Sequence, residues 1–250
     1  MIVFISPRRN RIAAPREQAD QVSCLHFVRV LLKMAQLLKT IHFGEFKAMQ
    51  NRLDEIFTEN RNPAQFAQKY GSYLGEVLSK LDYNAIGKMI ETVLDARERG
   101  AHIFFIGNGG SAATASHFAN DISIGTRVTD KPFKAMALTD NVAILTAVGN
   151  DDGYEVIFTK QLQNFANPGD VLVAISASGN SPNIIHTVKY AKEKGLKVIG
   201  LTGFDGGKLR ELSDIKIHVD TRKGEYGPVE DVHMFVDHLI GSYFNRIVKV

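Results

Sequence analysis

Residues 171–183, Val-Leu-Val-Ala-Ile-Ser-Ala-Ser-Gly-Asn-Ser-Pro-Asn, place three hydroxyls and a glycine directly after an apolar, largely β-branched run. Ser176, Ser178 and Ser181 fall within six positions, and Pro182 stands where a first helical residue belongs, with Ser181 as its N-cap. The pattern predicts strand, tight turn and helix. The start of such a helix offers free backbone N–H groups and a partial positive charge, and Gly179 lets the backbone approach a ligand closely. This is the chemistry of a phosphate cradle built from hydroxyls and dipoles instead of lysines. A second turn of the same kind lies upstream, where His102–Ile106 reads as a buried strand. Gly107-Asn108-Gly109-Gly110-Ser111 follows, and then an Ala-rich helical run. A dinucleotide fingerprint fits this turn poorly. Ala112 holds the third glycine position, and no acidic residue ends a second strand about 20 residues on. One sugar-phosphate site explains both turns, with no nucleotide cofactor.

Acid, base and ligand groups come from two helices. His117 and Asp121 are four apart and share a face. Glu230 and His238 are two turns apart on the C-terminal helix, within about 80° of each other around its axis. Four such groups suit general acid–base work, or a metal site of two histidines and two carboxylates. His233 and Asp237 form another four-apart pair, so this helix offers two competing faces.

The elements that must position these groups alternate. From Met49 two helical stretches come first, 49–80 and 83–99. Strands are expected at 102–106, 133–138, 171–175, 197–202 and 215–219. Helices are expected at 111–124, 141–148, 154–166, 182–194 and 229–248. Apolar strands separated by helices indicate an α/β protein, a three-layer doubly wound parallel sheet with N-terminal helices. Ligands bind such sheets beyond the carboxyl ends of the strands, where both serine/glycine turns lie.

The chain has 250 residues, 44% hydrophobic and 23% charged, enough for one sizeable core plus an appendage. Its single cysteine, Cys24, excludes an internal disulfide framework and a Cys-based zinc cluster. Residues 1–48 carry eight Lys/Arg against three Asp/Glu, whereas the whole chain has a formal charge of only +3. The remaining 49–250 is therefore slightly acidic, and nucleic-acid binding by this core is not expected. Arg29, Lys33 and Lys39 interrupt the apolar stretch 22–43, which argues against a membrane span. Residues 1–48 read as a basic extension outside the fold, with Met49 opening the domain. A basic amphipathic helix for a surface or partner is the alternative.

Five motifs carry a resemblance. They are Gly107–Ser111, Ser116-His117-Phe118-Ala119, Val148-Gly149-Asn150-Asp151, Ile175–Ser181 and Leu201–Lys208. In this order they resemble the sugar isomerase (SIS) family, and within it the phosphoheptose isomerases, over about 49–250. The resemblance implies a cytoplasmic aldose–ketose isomerase of sedoheptulose 7-phosphate, a homotetramer with active sites between subunits. It implies phosphate binding by Ser111, Ser176, Ser178 and Ser181, with Asn108, Gly109, Gly110 and Ala177 in the loops, the last where threonine is usual. Asp121 matches the catalytic base, a glutamate in the family, and His238 matches the catalytic histidine. Asp151 matches an aspartate lining the sugar site. Zinc, bound by some members, would be held by His117, Asp121, Glu230 and His238, with Glu230 replacing a glutamine and also facing the sugar. An arginine and an aspartate expected just before it are replaced by Pro228 and Gly227. Other family members isomerise different sugar phosphates, or have lost the base and act as binding or assembly proteins. Both alternatives remain open at this stage.

Overall fold

The computed structural model describes residues 51–248; the basic extension assigned to 1–48 lies outside them. Three helices come first. α1 (Arg52–Glu59) starts at Asn51, whose side chain accepts from Asp54 N–H while Asp54 accepts from Asn51 N–H, a reciprocal capping box. α2 (Pro63–Ser79) starts at Asn62, which accepts from the N–H groups of Ala64 and Gln65. The expected single stretch 49–80 is therefore two helices. Asn62-Pro63 is a start signal, because proline at the first helical position lacks only an N–H that has no partner there. α3 (Tyr83–Arg99) runs from the Asp82 cap to Gly100, whose φ of +67° supplies the left-handed turn that ends the helix.

A five-stranded sheet follows: β1 (His102–Gly107), β2 (Lys134–Ala137), β3 (Val171–Ser176), β4 (Lys197–Gly203) and β5 (Ile215–Val219). Every pairing is parallel and the spatial order is β2-β1-β3-β4-β5. Between and after the strands lie α4 (Gly110–Ser123), α5 (Val142–Asp151), α6 (Thr159–Phe165), α7 (Pro182–Glu193), α8 (Gly207–Leu212) and α9 (Tyr226–Ile247). The helix expected over 154–166 is a 3-10 turn at Tyr154–Val156 followed by α6. α9 begins three residues earlier than expected, with Pro228 tolerated in its first turn.

The central strands β1, β3 and β4 are buried on both faces, which is why they read as apolar runs, while the edge strands β2 and β5 are partly exposed. Val171, Val173 and Ile175 of β3 pack into one core with Met89 and Val93 of α3, Phe118 and Ile122 of α4, and Val232, Val236 and Phe244 of α9. Leu172 and Ala174 pack into the other, with Leu162 of α6, Ile184 and Val188 of α7, and Leu209 of α8. The result is the expected three-layer, doubly wound architecture. β1 and β3 are neighbours, with Gly107 opposite Ile175, although the chain visits β2 between them. The order reverses at this pair, so the two serine/glycine turns leave the sheet side by side, at the crevice where such sheets take their ligands.

Candidate active site

Both turns line one cavity of about 150 Å³, bounded by Asn108, Ser111, Ile175, Ser176, Ala177, Ser178, Ser181, Tyr226 and Glu230. That is room for about five waters, the scale of a phosphate and its first sugar atoms. None of these side chains is a lysine or arginine, so the attraction for an anion comes from hydroxyls and helix ends. Ser181 is the N-cap of α7, yet its hydroxyl makes no capping hydrogen bond. No side chain caps α4 at Gly109 either. Ser176 Oγ accepts from Gly179 N–H at 3.1 Å, which leaves its own proton to donate. Buried Ser111 opens α4.

The loops are fixed by glycines that admit no side chain. A Cβ on Gly107 would lie 2.3 Å from the Ser111 carbonyl oxygen. At Gly179, where φ is +63°, it would lie 1.9 Å from the Gly206 carbonyl oxygen in the neighbouring β4–α8 turn. That turn also donates to the cradle, from Leu209 N–H to the Gly179 carbonyl at 2.9 Å. Asn108 exchanges two amide hydrogen bonds with Asn183, each 2.9 Å, and accepts a third from the Tyr154 hydroxyl at 3.1 Å. Asn183, Tyr154 and Tyr226 escaped the sequence reading. Asn183, one residue past Pro182, reads as an ordinary first-turn residue until β1 and β3 are known to be adjacent.

The second group of side chains lies farther along α4 and on α9. His117 Nε2 is 3.3 Å from His238 Nε2, 3.5 Å from Asp121 Oδ2 and 4.0 Å from Asp237 Oδ2. One ligand atom from each of these four residues lies within 4.8 Å of every other, so the set could hold a metal ion. Asp237 is fully buried, and neither of its oxygens has a hydrogen-bond partner. Burial first, and the charge of Asp121 second, push its carboxyl up to about 8. Gly241, one turn on, brings the helices close: a Cβ there would sit 3.6 Å from Asp121 Cβ.

Of the expected residues, the structure gathers Asn108, Ser111, Ser176, Ala177, Ser178, Ser181 and Glu230 at the cavity, and His117, Asp121 and His238 at the cluster. Gly109 caps α4, and Gly110 lies under the Glu230 carboxylate, where a Cβ would come within 2.3 Å of Glu230 Oε2. Glu230, expected among the metal ligands, is not one of the four clustered residues; Asp237 stands there instead. Burial, and then the Asp231 charge, raise the Glu230 carboxyl above its ordinary range. Asp151 is exposed at the end of α5, holding Asn150 at 2.7 Å, and is in neither group.

A parallel sheet of this order, with a hydroxyl-lined cradle at its switch point, defines the class. Residues 65–203 match the SIS domain, and the chain belongs to that family. Its relatives narrow the group. The phosphoheptose isomerase of Nitratidesulfovibrio vulgaris (strain Miyazaki F) is 45% identical over 142 residues, 57% of this chain and 67% of the relative. That of Rhodospirillum rubrum is 42% identical over 156 residues, 62% of this chain and 82% of the relative. The solved phosphoheptose isomerase of Neisseria gonorrhoeae superposes with a TM-score of 0.63 at 31% identity, covering 72% of this chain and 99% of that one.

Proposed function

We propose that the chain is an aldose–ketose isomerase interconverting sedoheptulose 7-phosphate and D-glycero-D-manno-heptose 7-phosphate through a cis-enediol. The observation that carries this reading is the pairing of a phosphate-sized cradle, one serine of which opens α4, with an acid–base cluster farther along α4 and on α9. His117 lies six residues beyond Ser111, about 9 Å along α4. An open-chain seven-carbon sugar spans eight bonds from phosphorus to C1, about 10 Å at the roughly 1.2 Å per bond of an extended chain. The phosphate then sits among Ser111, Ser176, Ser178 and Ser181 while C1 and C2 reach the cluster. Asp121 takes the proton next to the carbonyl and returns it to the neighbouring carbon. His238, through the Nδ1 left free of the cluster, gives a proton to the carbonyl oxygen and takes one back from the other hydroxyl, so the net change is the migration of two hydrogens. Glu230, at the cavity wall, faces the sugar hydroxyls.

The buried, unpartnered oxygens of Asp237 beside two imidazoles and Asp121 fit a divalent cation, and zinc suits that donor chemistry. His117, Asp121 and His238 would help to hold it, and it would supply a Lewis acid for the carbonyl or the sugar hydroxyls. The working form is proposed to be a homotetramer in the cytoplasm. Support for assembly comes from exposed apolar side chains flanking α4: Ile124, Met136, Val142 and Phe165. No helix among the described residues is long and apolar enough to cross a membrane.

The test is turnover of sedoheptulose 7-phosphate by the full chain beside Asp121→Ala and His238→Ala. Turnover that both substitutions abolish is expected. Protection against thermal unfolding by the sugar phosphate without turnover would overturn the enzymatic reading in favour of a binding protein.

A further inference from the structure

Asp237 occupies a position that helix periodicity gives to the core. On α9 the buried residues are Val229, Val232, His233, Val236, Asp237, Ile240, Gly241 and Phe244, the three-and-four rhythm of a helix face packed on a sheet. A carboxylate on such a face, with both oxygens buried and unpartnered, is strongly unfavourable unless something of opposite charge compensates it. Among the described residues no lysine or arginine forms an ion pair with it. What faces it is His117 and Asp121 on α4 and His238 on its own helix.

The donor atoms all lie within 4.8 Å of one another, close enough for one ion to draw them into its coordination shell. A tetrahedral zinc with bonds of about 2.0–2.1 Å holds neighbouring ligand atoms roughly 3.3–3.4 Å apart. The distances from His117 Nε2 are 3.3 Å to His238, 3.5 Å to Asp121 and 4.0 Å to Asp237. Two imidazole nitrogens aimed at each other fit lone pairs directed at one cation, and two carboxylates balance its charge. Glu230 is two turns back on α9, about 10 Å along the axis from Asp237, with its carboxylate over Gly110.

We propose that Asp237, and not Glu230, is the fourth protein ligand of the divalent cation, completing a set of two imidazoles and two carboxylates. This assignment rests on the reading of the cluster as the metal centre of a sugar-phosphate isomerase. It separates the roles of the two acidic residues on α9: Asp237 binds the ion and Glu230 serves the sugar cavity.

The experiment is a zinc titration of the chelator-stripped full chain against a competing chelator, with Asp237→Asn and Glu230→Gln alongside. One zinc per chain is expected for the wild type. Glu230→Gln should stay within about threefold of it, while Asp237→Asn should weaken binding at least about 100-fold, the upper end of the loss from removing an outer-shell partner. The visible bands of the Co²⁺-loaded chain should change only in the Asp237 variant. Circular dichroism melting of the stripped proteins checks that each is folded, and Asp237→Leu, matched to the surrounding valines, replaces the asparagine variant should that one not fold. Wild-type affinity in the Asp237 variants, the loss appearing in Glu230→Gln, or no zinc uptake by the wild type would each overturn the assignment. Turnover measured on the same samples reports separately on the isomerase reading: zinc bound through Asp237 without turnover leaves the ligand standing and removes the activity.

Discussion

His233 gives a pH dependence that can be worked through. It is fully buried on α9, with Nε2 3.4 Å from the Thr202 carbonyl oxygen of β4 and a buried Nδ1 that has no partner. Burial drives the imidazole down from 6.5 to about 4; the Thr202 carbonyl opposes this and nearby His218 adds to it. Between those two values the native chain binds fewer protons than the unfolded chain, so its stability falls as the pH falls. The contribution is fully present above pH 6.5 and is lost through the window down to about 4. At 1.36 kcal/mol per pH unit, the loss from pH 7.5 to pH 5 comes to about 2 kcal/mol. His233→Gln keeps a donor for the Thr202 carbonyl and removes the titration. Urea unfolding of the metal-free proteins at both pH values gives the slopes. The rest of the chain is common to both proteins, so the difference isolates His233 together with its interaction with His218. The wild type should lose about 2 kcal/mol more than the variant. Equal losses would refute the reasoning, because they would mean that the ring finds water or a proton acceptor in the folded state.

The remaining predictions concern the cradle and its support. Ser181→Ala should leave thermal stability unchanged, because the hydroxyl makes no cap, and should raise the KM for the sugar phosphate about tenfold, the worth of one hydrogen bond to a charged group. Melting curves and initial rates separate the two effects; a variant that melts earlier with unchanged KM would show the hydroxyl to be structural. Glu225 is fully buried and accepts from Arg52 N–H at 2.6 Å, Arg222 N–H at 3.1 Å and the Tyr73 hydroxyl, tying α1 and α2 to the start of α9. Glu225→Ala leaves three donors without their acceptor and should destabilise the chain by roughly 4 kcal/mol in urea unfolding; a loss below about 1 kcal/mol would show that water replaces the carboxylate.

The sheet and its two loops were legible because their signals are local. Buried parallel strands read as apolar runs, and a serine/glycine turn before a Pro-headed helix has few other uses. The choice between faces of α9 is legible in the apolar rhythm but not in the spacing of the acid and base residues. Glu230/His238 and His233/Asp237 have equal claims by spacing, which does not say which side packs on β4 and which on α4. The apolar rhythm around them held the answer, since His233 and Asp237 replace apolar residues on the buried face and Glu230 does not. The stretch 49–80 divides into two helices because residues 58–62 are all polar and Asn62-Pro63 is a start signal. The pairing of Asn108 with Asn183 depends on strands that are adjacent in space but separated in sequence by β2, a relation no window of residues contains.

Gly179 and Gly206 lie so close that no side chain fits between the two turns, and the Leu209 N–H fastens them together. A sugar phosphate therefore meets a receptacle whose shape was settled during folding, with little ordering left to do on arrival. In the proposed reading the anionic end of the substrate is stopped at a fixed mark. Helix rise along α4 then sets how far the other end must reach, so this helix works as a ruler. A shorter sugar phosphate held at that mark would leave its carbonyl short of the histidines. Selectivity for chain length would then follow from the backbone, with no side chain dedicated to rejecting the wrong sugar.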